Sequence, residues 1–227
     1  MRVPSRKIRE KILTKRAVMA LAAATLSFAV AMPINLFGKK SKTAQQEETV
    51  DIFELALDEN LYTPKLGKAA DAIADFQLET ARSLKKEKYN VELMRDGEVI
   101  VVTIYANQLF NPNDTTLSDV GDIVLRPFVK YLDTPGLYKM ILVMHSDNTG
   151  SAQYTGQISR SRVDAVYDWF ERVTGSRYVV PYALGSVEPL YPNNSVENRR
   201  KNRRLEIYLV PGYEMIDRAR NGKITLK

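Results

Sequence analysis

Apolar and polar positions follow one another along the chain with periods that predict both strands and helices. The run Tyr138–Met144 is short, apolar and rich in strand formers, so it predicts a buried strand. Ser151–Val173 repeats its apolar residues with the period of a helix, and Gly175 is a typical residue for that helix to stop at. Between them lies the polar turn His145–Gly150. In open α/β sheets, ligands bind where such a strand ends.

Other segments have the length and alternation of strands: the region around Val91 and Leu93, then Val99–Ile104, Tyr178–Leu184 and Arg203–Val210. Asp96-Gly97 lies between the first two, which predicts a β-hairpin. Pro181 cannot donate to a sheet ladder, so its strand is predicted at an edge or a bulge.

Two further helices are predicted in this part of the chain. One runs from Leu117 to Leu132 behind a cap at Thr115 or Thr116, and Pro127 should kink or split it. The other is a helical turn at Val196–Lys201. The order β-β-α-β-α-β-β predicts an α+β fold (an α/β two-layer arrangement), with a small mixed sheet and helices packed on one face.

The N-terminal region has the pattern of an export signal. Basic residues up to Arg16 precede the apolar stretch Ala17–Met32, and Ala29-Val30-Ala31 has the small residues of a cleavage site. Residues 1–31 are therefore predicted to be a signal peptide. The alternative is an uncleaved membrane anchor that extends to about residue 38. Either interpretation places the remainder outside the cytoplasm.

Residues 32–86 are predicted to be a polar linker and a helical extension. Lys39–Glu48 is a polar linker, whereas Thr49–Glu59 and Leu66–Lys86 repeat apolar residues at helical spacing. These helices could pack on the following domain or form a stalk. The domain itself is predicted over 87–211, and 212–227 is predicted to be a charged tail.

The net charge of +6 does not indicate nucleic-acid binding. Residues 1–31 hold seven basic side chains and one acidic one, which accounts for the whole excess. The remaining chain has 26 residues of each sign, so no basic domain is left to bind phosphates. The chain has no cysteine, which excludes disulfides, thiolate metal sites and a cysteine nucleophile.

Three charged residues are candidates for binding chemistry. Arg162 falls on the apolar stripe of its helix, four residues from Ile158 and from Val166. A guanidinium on an inward stripe needs an anion, either Asp147 or Glu206 as a structural ion pair or the carboxylate of a ligand. Arg203 shares the core-facing side of its strand by alternation. Asp147 with these arginines would suit a zwitterion, with aspartate on an ammonium and arginine on a carboxylate.

Three linked blocks of sequence resemble the OmpA C-terminal-like domain family. The blocks are His145-Ser146-Asp147-Asn148-Thr149-Gly150, then Tyr154, Ile158-Ser159, Arg162 and Ala165-Val166, then Glu197-Asn198-Arg199 and Asn202-Arg203-Arg204-Leu205-Glu206-Ile207. The family patterns are H-T-D-x-x-G, Y-N-x-x-L-S-x-x-R-A-x-A-V and G-R-x-x-N-R-R-V-E-I. The resemblance covers roughly residues 89–211, and the blocks occur in the family's order.

The resemblance implies a non-catalytic domain that binds peptidoglycan by gripping the diaminopimelate of the stem peptide. It places Asp147 on the ligand ammonium and Arg162 on a ligand carboxylate, with Arg203 beside Asn202 in the pocket. The other implied ligand-binding residues are Ser146, Asn148, Thr155 and, more loosely, Asn113. Thr155 replaces the asparagine of the family pattern, which removes an amide that could contact the ligand. No cofactor or metal is implied.

Other functions have less support in the sequence. His145, Ser146 and Asp147 are adjacent in a turn and point in different directions, which argues against a catalytic triad. One histidine cannot supply a zinc-type ligand pair, and His145 is predicted to be structural. A stator-type proton channel needs an acidic residue in the membrane, and Ala17–Gly38 has none. A structural module of an envelope complex that has lost its ligand is the remaining alternative.

These predictions place the protein in the periplasm or cell envelope, either associated with the outer membrane or anchored in the inner one. Peptidoglycan is the predicted partner, and residues 32–88 could bind a membrane or an envelope protein. No nucleic-acid partner is predicted.

Overall fold

The structure is a computed structural model that describes residues 56–61, 63 and 66–224. The predicted signal peptide or anchor, the polar linker and most of the helix from Thr49 lie outside these ranges. Within them, no helix has both the length and the apolar character needed to cross a bilayer.

The predicted mixed sheet is confirmed, and it has five strands. They are β1 (Asn90–Met94), β2 (Val99–Tyr105), β3 (Tyr138–His145), β4 (Val179–Gly185) and β5 (Arg204–Pro211). Their order in the sheet is β1-β2-β5-β3-β4, and β3 and β4 form the parallel pair. Pro181 lies in β4 at the edge of the sheet, as predicted, where its missing N–H breaks no ladder.

Six α-helices are described, together with short 3₁₀ segments at Gly67–Ala69, Arg95–Gly97, Ala106–Gln108 and Arg126–Tyr131. The helices are α1 (Leu57–Asn60), α2 (Ala70–Lys86), α3 (Asp119–Leu125), α4 (Ala152–Thr174), α5 (Val196–Asn202) and α6 (Tyr213–Arg220). The predicted long helix is confirmed, and α4 begins and ends one residue later than the predicted Ser151–Val173. The Ser151 hydroxyl accepts from the Tyr154 N–H, and Gly175 ends the helix with φ of 61°, a conformation that favours glycine.

The segment predicted as a helix from Leu117 to Leu132 begins later than predicted, whereas the split predicted at Pro127 is confirmed. Its cap is Ser118, whose hydroxyl accepts from the Gly121 N–H, and neither Thr115 nor Thr116. The N–H groups of those threonines are already bound to the Asp114 carboxylate, at 2.7 and 2.9 Å. The α-helix ends at Leu125, and the chain continues as a 3₁₀ helix with a proline in its first turn.

The main hydrophobic core lies between one face of the sheet and the helices. It includes Ile100 and Ile207 from the sheet, Phe170 from α4 and Ile73 from α2, all fully buried. Helix α2 therefore packs on the domain and does not extend as a stalk. Because α2 is buried in this core, packing continues on the N-terminal side of the predicted 87–211 boundary.

The region predicted as a charged tail contains a helix that belongs to the same core. Met215, Ile216 and Ala219 of α6 are buried in it. This helix was not predicted because only three apolar residues at helical spacing lie among the charged residues of the segment.

The opposite face of the sheet is also buried. Val101, Ile141, Val143 and Val210 form a second cluster, in which Leu61 is buried beside them. The prediction placed helices on one face, whereas the chain around α1 lies on the other.

Candidate functional site

The turn after β3 positions the predicted aspartate. The Ser146 N–H donates to the Gly185 carbonyl oxygen at 2.7 Å, which holds the start of the turn against the end of β4. The Thr149 N–H donates to Asp147 Oδ1 at 2.8 Å, and Asp147 is almost fully buried. Gly150 has φ of 98°, and a Cβ there would lie 2.9 Å from the Tyr154 ring, so glycine lets the turn pack on α4.

Asp147 forms an ion pair with Arg203. Burial alone would raise the pKa of Asp147, but hydrogen bonds from Thr149 and Arg203 outweigh it and leave that pKa below its usual value. The prediction that Arg203 begins the last strand is wrong by one residue. Arg203 caps the end of α5, β5 starts at Arg204, and about two-fifths of the Arg203 side chain (38%) is exposed.

Arg162 is buried, as predicted, but its neighbours are not the predicted carboxylates. Its Nε donates to the Asp114 carbonyl oxygen at 2.8 Å, and its guanidinium carbon lies 5.1 Å from the centre of the Phe110 ring. Burial lowers the pKa of Arg162, and the nearby charge of Arg203 lowers it further. An arginine keeps its proton at neutral pH despite such shifts. Among the described residues, the Arg162 Nη atoms have no hydrogen-bond partner.

The predicted structural ion pair of Arg162 with Asp147 or Glu206 is therefore wrong. Asp147 binds Arg203, and Glu206 binds Arg204. The two arginines are adjacent at the start of β5: Arg203 precedes the strand and binds Asp147 in the turn after β3, whereas Arg204 binds Glu206 two residues along the same strand.

The predicted inward stripe of α4 holds only for its second half. Val166 and Phe170 are fully buried, whereas Tyr154 is half exposed. In the first half, Thr155 and Ser159 are buried instead, and each hydroxyl donates to a backbone carbonyl one turn earlier. Thr155 is also 3.4 Å from the Ser186 hydroxyl, so its polar atom is engaged within the protein.

Asn202 is fully buried, and its amide holds a loop in place. Its Nδ2 donates to the Tyr191 carbonyl and to Asn193 Oδ1, both at 2.8 Å, and its Oδ1 accepts from the Tyr191 N–H at 3.0 Å. These bonds fix the chain that precedes α5. Asn202 therefore supports the position of its neighbour Arg203.

The remaining predicted residues lie around this centre. Ser146 is nearly buried, whereas Asn148 and Asn113 are exposed. Asn113 has φ of 60°, which turns the chain just before Asp114. The N–H groups of Thr116 and Thr115 lower the pKa of Asp114, so a second anion is fixed beside Arg162.

Phe110 and Asp114 were not predicted as site residues. They lie in the segment Phe110–Asp114 that follows β2, and the structure brings this segment against the middle of α4. The sequence signal was the turn Asn111-Pro112-Asn113-Asp114, but nothing local indicated that its carbonyl groups would face an arginine.

A buried charged cluster behind the turn was also missed. Arg204 Nε donates to Glu206 Oε1 at 2.8 Å, and the Tyr208 hydroxyl donates to Glu206 Oε2 at 2.6 Å. His145 is buried as predicted, with Nε2 3.6 Å from Glu206 Oε2, and neither ring nitrogen has a hydrogen-bond partner among the described residues. Burial and the charge of Arg204 lower the pKa of His145 against the opposing effect of Glu206.

A groove of about 440 Å³ runs along the outer side of α4 and is distinct from this site. Its lining includes Thr115, Ser161 and Asp168, but neither Asp147 nor Arg162. No group of three or more acidic or histidine side chains in the described part of the chain is arranged to hold a metal ion.

No family model matches the chain. Over 123 residues it is 27% identical to the probable lipoprotein YiaD of Escherichia coli strain K12. That match covers 53% of this chain and 56% of the relative, so the chain spans little more than half of the relative's length.

Two solved structures are similar to the described domain. A MotB-like protein from Desulfovibrio vulgaris has a TM-score of 0.56 at 20% identity, over 62% of this chain and 98% of that one. The cell wall anchor of the type VI secretion system of Pseudomonas aeruginosa has a TM-score of 0.49 at 26% identity, over 61% and 96%. The similarity to the MotB-like protein shows that the domain has the OmpA/MotB-like fold that its three sequence blocks predicted.

Proposed function

We propose that this protein is a non-catalytic component of the bacterial envelope that binds peptidoglycan and tethers the envelope to the cell wall. In this proposal the site grips the diaminopimelate of the stem peptide. The three sequence blocks, the fold shared with a MotB-like protein and the lipoprotein relative support it. They also favour the periplasm or envelope as its location.

The contacts of the Arg162 guanidinium are the main support for this function. Its Nε donates to the protein, its guanidinium carbon lies 5.1 Å from the centre of the Phe110 ring, and its Nη atoms have no hydrogen-bond partner among the described residues. Such a guanidinium is fixed in orientation before a ligand arrives. Its two outer nitrogens are suited to a bidentate contact with a carboxylate.

Asp147 supplies the other half of a zwitterion site. Each carboxylate oxygen has two lone pairs, so Asp147 could accept from a ligand ammonium while it keeps its bond to Arg203. Arg203 is partly exposed and could also contact the ligand. Asp147, while paired with Arg203, would thus bind the ligand ammonium, and Arg162 would bind the ligand carboxylate.

The geometry offers no support for hydrolysis. A serine nucleophile needs a base within hydrogen-bond reach. The His145 ring lies beside Glu206 and has no hydrogen bond to Ser146. We therefore propose binding without cleavage.

The second candidate function is a structural or interaction module, anchored in the inner membrane, that has lost its ligand. The engagement of Asn202 and Thr155 inside the protein favours this candidate. So does the occupation of both Asp147 oxygens by protein donors.

Co-sedimentation with purified wall sacculi separates the two candidates. The wild type should sediment with sacculi, and retention should survive moderate salt because residues 32–227 have no net charge. Arg162→Ala should remain in the supernatant, whereas Arg160→Ala, which removes a mostly exposed arginine from the same helix, should sediment like the wild type. Equal sedimentation of Arg162→Ala would contradict the assignment, and release of soluble muropeptides would contradict binding without cleavage.

A further inference from the structure

A second acidic residue is in contact with the buried Arg162. Arg162 Nε donates to the Asp114 carbonyl oxygen at 2.8 Å, and the Arg162 Nη atoms have no hydrogen-bond partner among the described residues. The Asp114 carboxylate is not a partner of this guanidinium, because the hydrogen bond between the two residues uses the Asp114 backbone. A carboxylate that forms no ion pair within the described part of the chain therefore lies on the residue that holds Arg162.

Backbone hydrogen bonds fix the Asp114 carboxylate in place. The N–H groups of Thr115 and Thr116 both donate to its Oδ1, at 2.7 and 2.9 Å. These bonds lower the pKa of Asp114, and the charge of Arg162 lowers it further, so the carboxyl group is ionised at neutral pH. Oδ2 takes neither backbone bond, and each carboxylate oxygen has two lone pairs. A ligand donor could therefore bind Asp114 without breaking the turn.

Asp147 has less capacity left for a ligand than Asp114. Its Oδ1 accepts from the Thr149 N–H, its Oδ2 accepts from Arg203, and its side chain is almost fully buried. The positive charge of Arg203 therefore already compensates Asp147. Asp114 is only partly buried and has no such compensation from an ion pair among the described residues. Of the two carboxylates, Asp114 offers a ligand cation the less neutralised charge.

The charges of the site follow one another through direct neighbours, with the two arginines in the middle. Asp147 pairs with Arg203, and Arg203 is close enough to Arg162 to lower the pKa of that guanidinium. Arg162 in turn is bound to the Asp114 backbone. Two neighbouring cations disfavour each other, and an anion bound near both relieves the repulsion. The arrangement suits a ligand carboxylate at the arginines with an ammonium group close to it.

We propose that Asp114 is a specificity-determining residue that binds the ligand ammonium adjoining the carboxylate held by Arg162. This inference rests on the proposed function and adds a requirement to it, because the amine next to the bound carboxylate must be free. In diaminopimelate, the carboxylate that lysine lacks is bonded to the same carbon as an amine. Acylation of that amine removes its charge and two of its hydrogen-bond donors, so the acylated ligand should bind weakly.

Calorimetric titration with two soluble muropeptides tests this role. One carries diaminopimelate with a free amine, and the other is acetylated at that amine. The wild type should bind the acetylated form roughly tenfold more weakly or worse, because an ion pair is lost. In Asp114→Asn this difference should fall to about threefold or less. Asp119→Asn, which removes an exposed carboxylate from the first turn of α3, should discriminate like the wild type.

A third muropeptide, with lysine in place of diaminopimelate, shows whether the variant site is intact. Asparagine keeps a side-chain oxygen that can accept the Thr115 and Thr116 N–H groups, so Asp114→Asn should retain the turn. It should also keep the preference for diaminopimelate over lysine, because Arg162 is unchanged. Loss of that preference would show that Asp114 supports the shape of the site and would overturn its role as a contact.

The outcomes separate this inference from the proposed function. A wild type that binds the free diaminopimelate form, combined with undiminished rejection of the acetylated form by Asp114→Asn, would overturn the role of Asp114 alone and leave Asp147 as the partner of the ammonium. Equal binding of both forms by the wild type would also overturn it. A wild type that binds none of the three muropeptides would contradict the proposed function, and this inference with it.

Discussion

Replacing Arg162 with alanine should separate ligand binding from folding. The change removes one hydrogen bond from a charged group to the Asp114 carbonyl, which contributes about 1.5–3 kcal/mol, and a cation–π contact with Phe110 of about 0.5–1 kcal/mol. The change also removes the repulsion between Arg162 and Arg203 and the cost of burying the guanidinium, and both effects stabilise the variant. The net loss of unfolding free energy should be about 1–2 kcal/mol.

That loss is smaller than the roughly 3–5 kcal/mol expected when one member of a buried ion pair is removed. For a domain of this size, the melting temperature should fall by about 2–8 °C. Binding should suffer more, by about 2–4 kcal/mol, because the ligand carboxylate loses its partner. This corresponds to an affinity that is roughly 30- to 1,000-fold weaker.

Thermal melts with and without free diaminopimelate measure both effects in one experiment. Excess ligand should raise the melting temperature of the wild type and of Arg160→Ala, but not of Arg162→Ala. Arg162→Lys keeps the charge and loses the planar fork, so its response should be weak. A loss of more than about 4 kcal/mol in Arg162→Ala, together with a wild type that ignores diaminopimelate, would show that Arg162 serves the fold.

Four further outcomes are expected. Asp147→Asn should weaken sacculus binding by about 2–4 kcal/mol. Its effect and that of Arg162→Ala should not be additive, because both residues act on one ligand. Additive losses in a double-mutant cycle would argue against a shared site. Asn202→Ala should lower the free energy of unfolding by roughly 2–3 kcal/mol in urea titrations, because three loop hydrogen bonds are lost. Burial lowers the pKa of Lys139 to about 8 in the folded protein. Above that pH the unfolded state binds more protons than the folded state, so the free energy of unfolding should rise by about 1–2 kcal/mol between pH 8 and 10. Lys139→Met should abolish this rise. Mass spectrometry of protein from its own cells should find a chain that begins near Met32, and an intact first residue would instead indicate a retained anchor.

The parts of the fold that were predictable are those set by local pattern. The apolar run of β3, the helical period from Ser151 to Val173 and the Gly175 stop each act within a few residues, and all three are present in the structure. The edge position of β4 followed from Pro181, because one missing donor is enough to exclude a central strand.

The pairing of charges was not predictable from such patterns. Asp147 and Arg203 are 56 residues apart, and their contact depends on the register of β3 against β5. Arg203 and Arg204 are adjacent in the sequence, but one lies half exposed at the site and the other is buried beside Glu206. A shift of one residue at the start of β5 decides which arginine pairs with Asp147 and which pairs with Glu206.

The burial of charged residues on the second face of the sheet was not predictable for a different reason. Arg204 and Glu206 alternate with apolar residues in β5, which is the usual pattern of a strand with one face in water. Here their opposite charges satisfy each other, so both are buried. In α6, charges around Met215 and Ile216 similarly hid a buried stripe.

We propose that Arg162 binds the carboxylate by which diaminopimelate differs from lysine. Diaminopimelate differs from lysine by one carboxylate, so two soluble muropeptides that differ only there provide a matched pair. Calorimetric titration of the wild type should show saturable one-site binding of the diaminopimelate form and at least 30-fold weaker binding of the lysine form, and Arg162→Ala should not distinguish the two. Equal affinity of the wild type for both forms, or unchanged discrimination in Arg162→Ala, would contradict the assignment of Arg162 to this carboxylate.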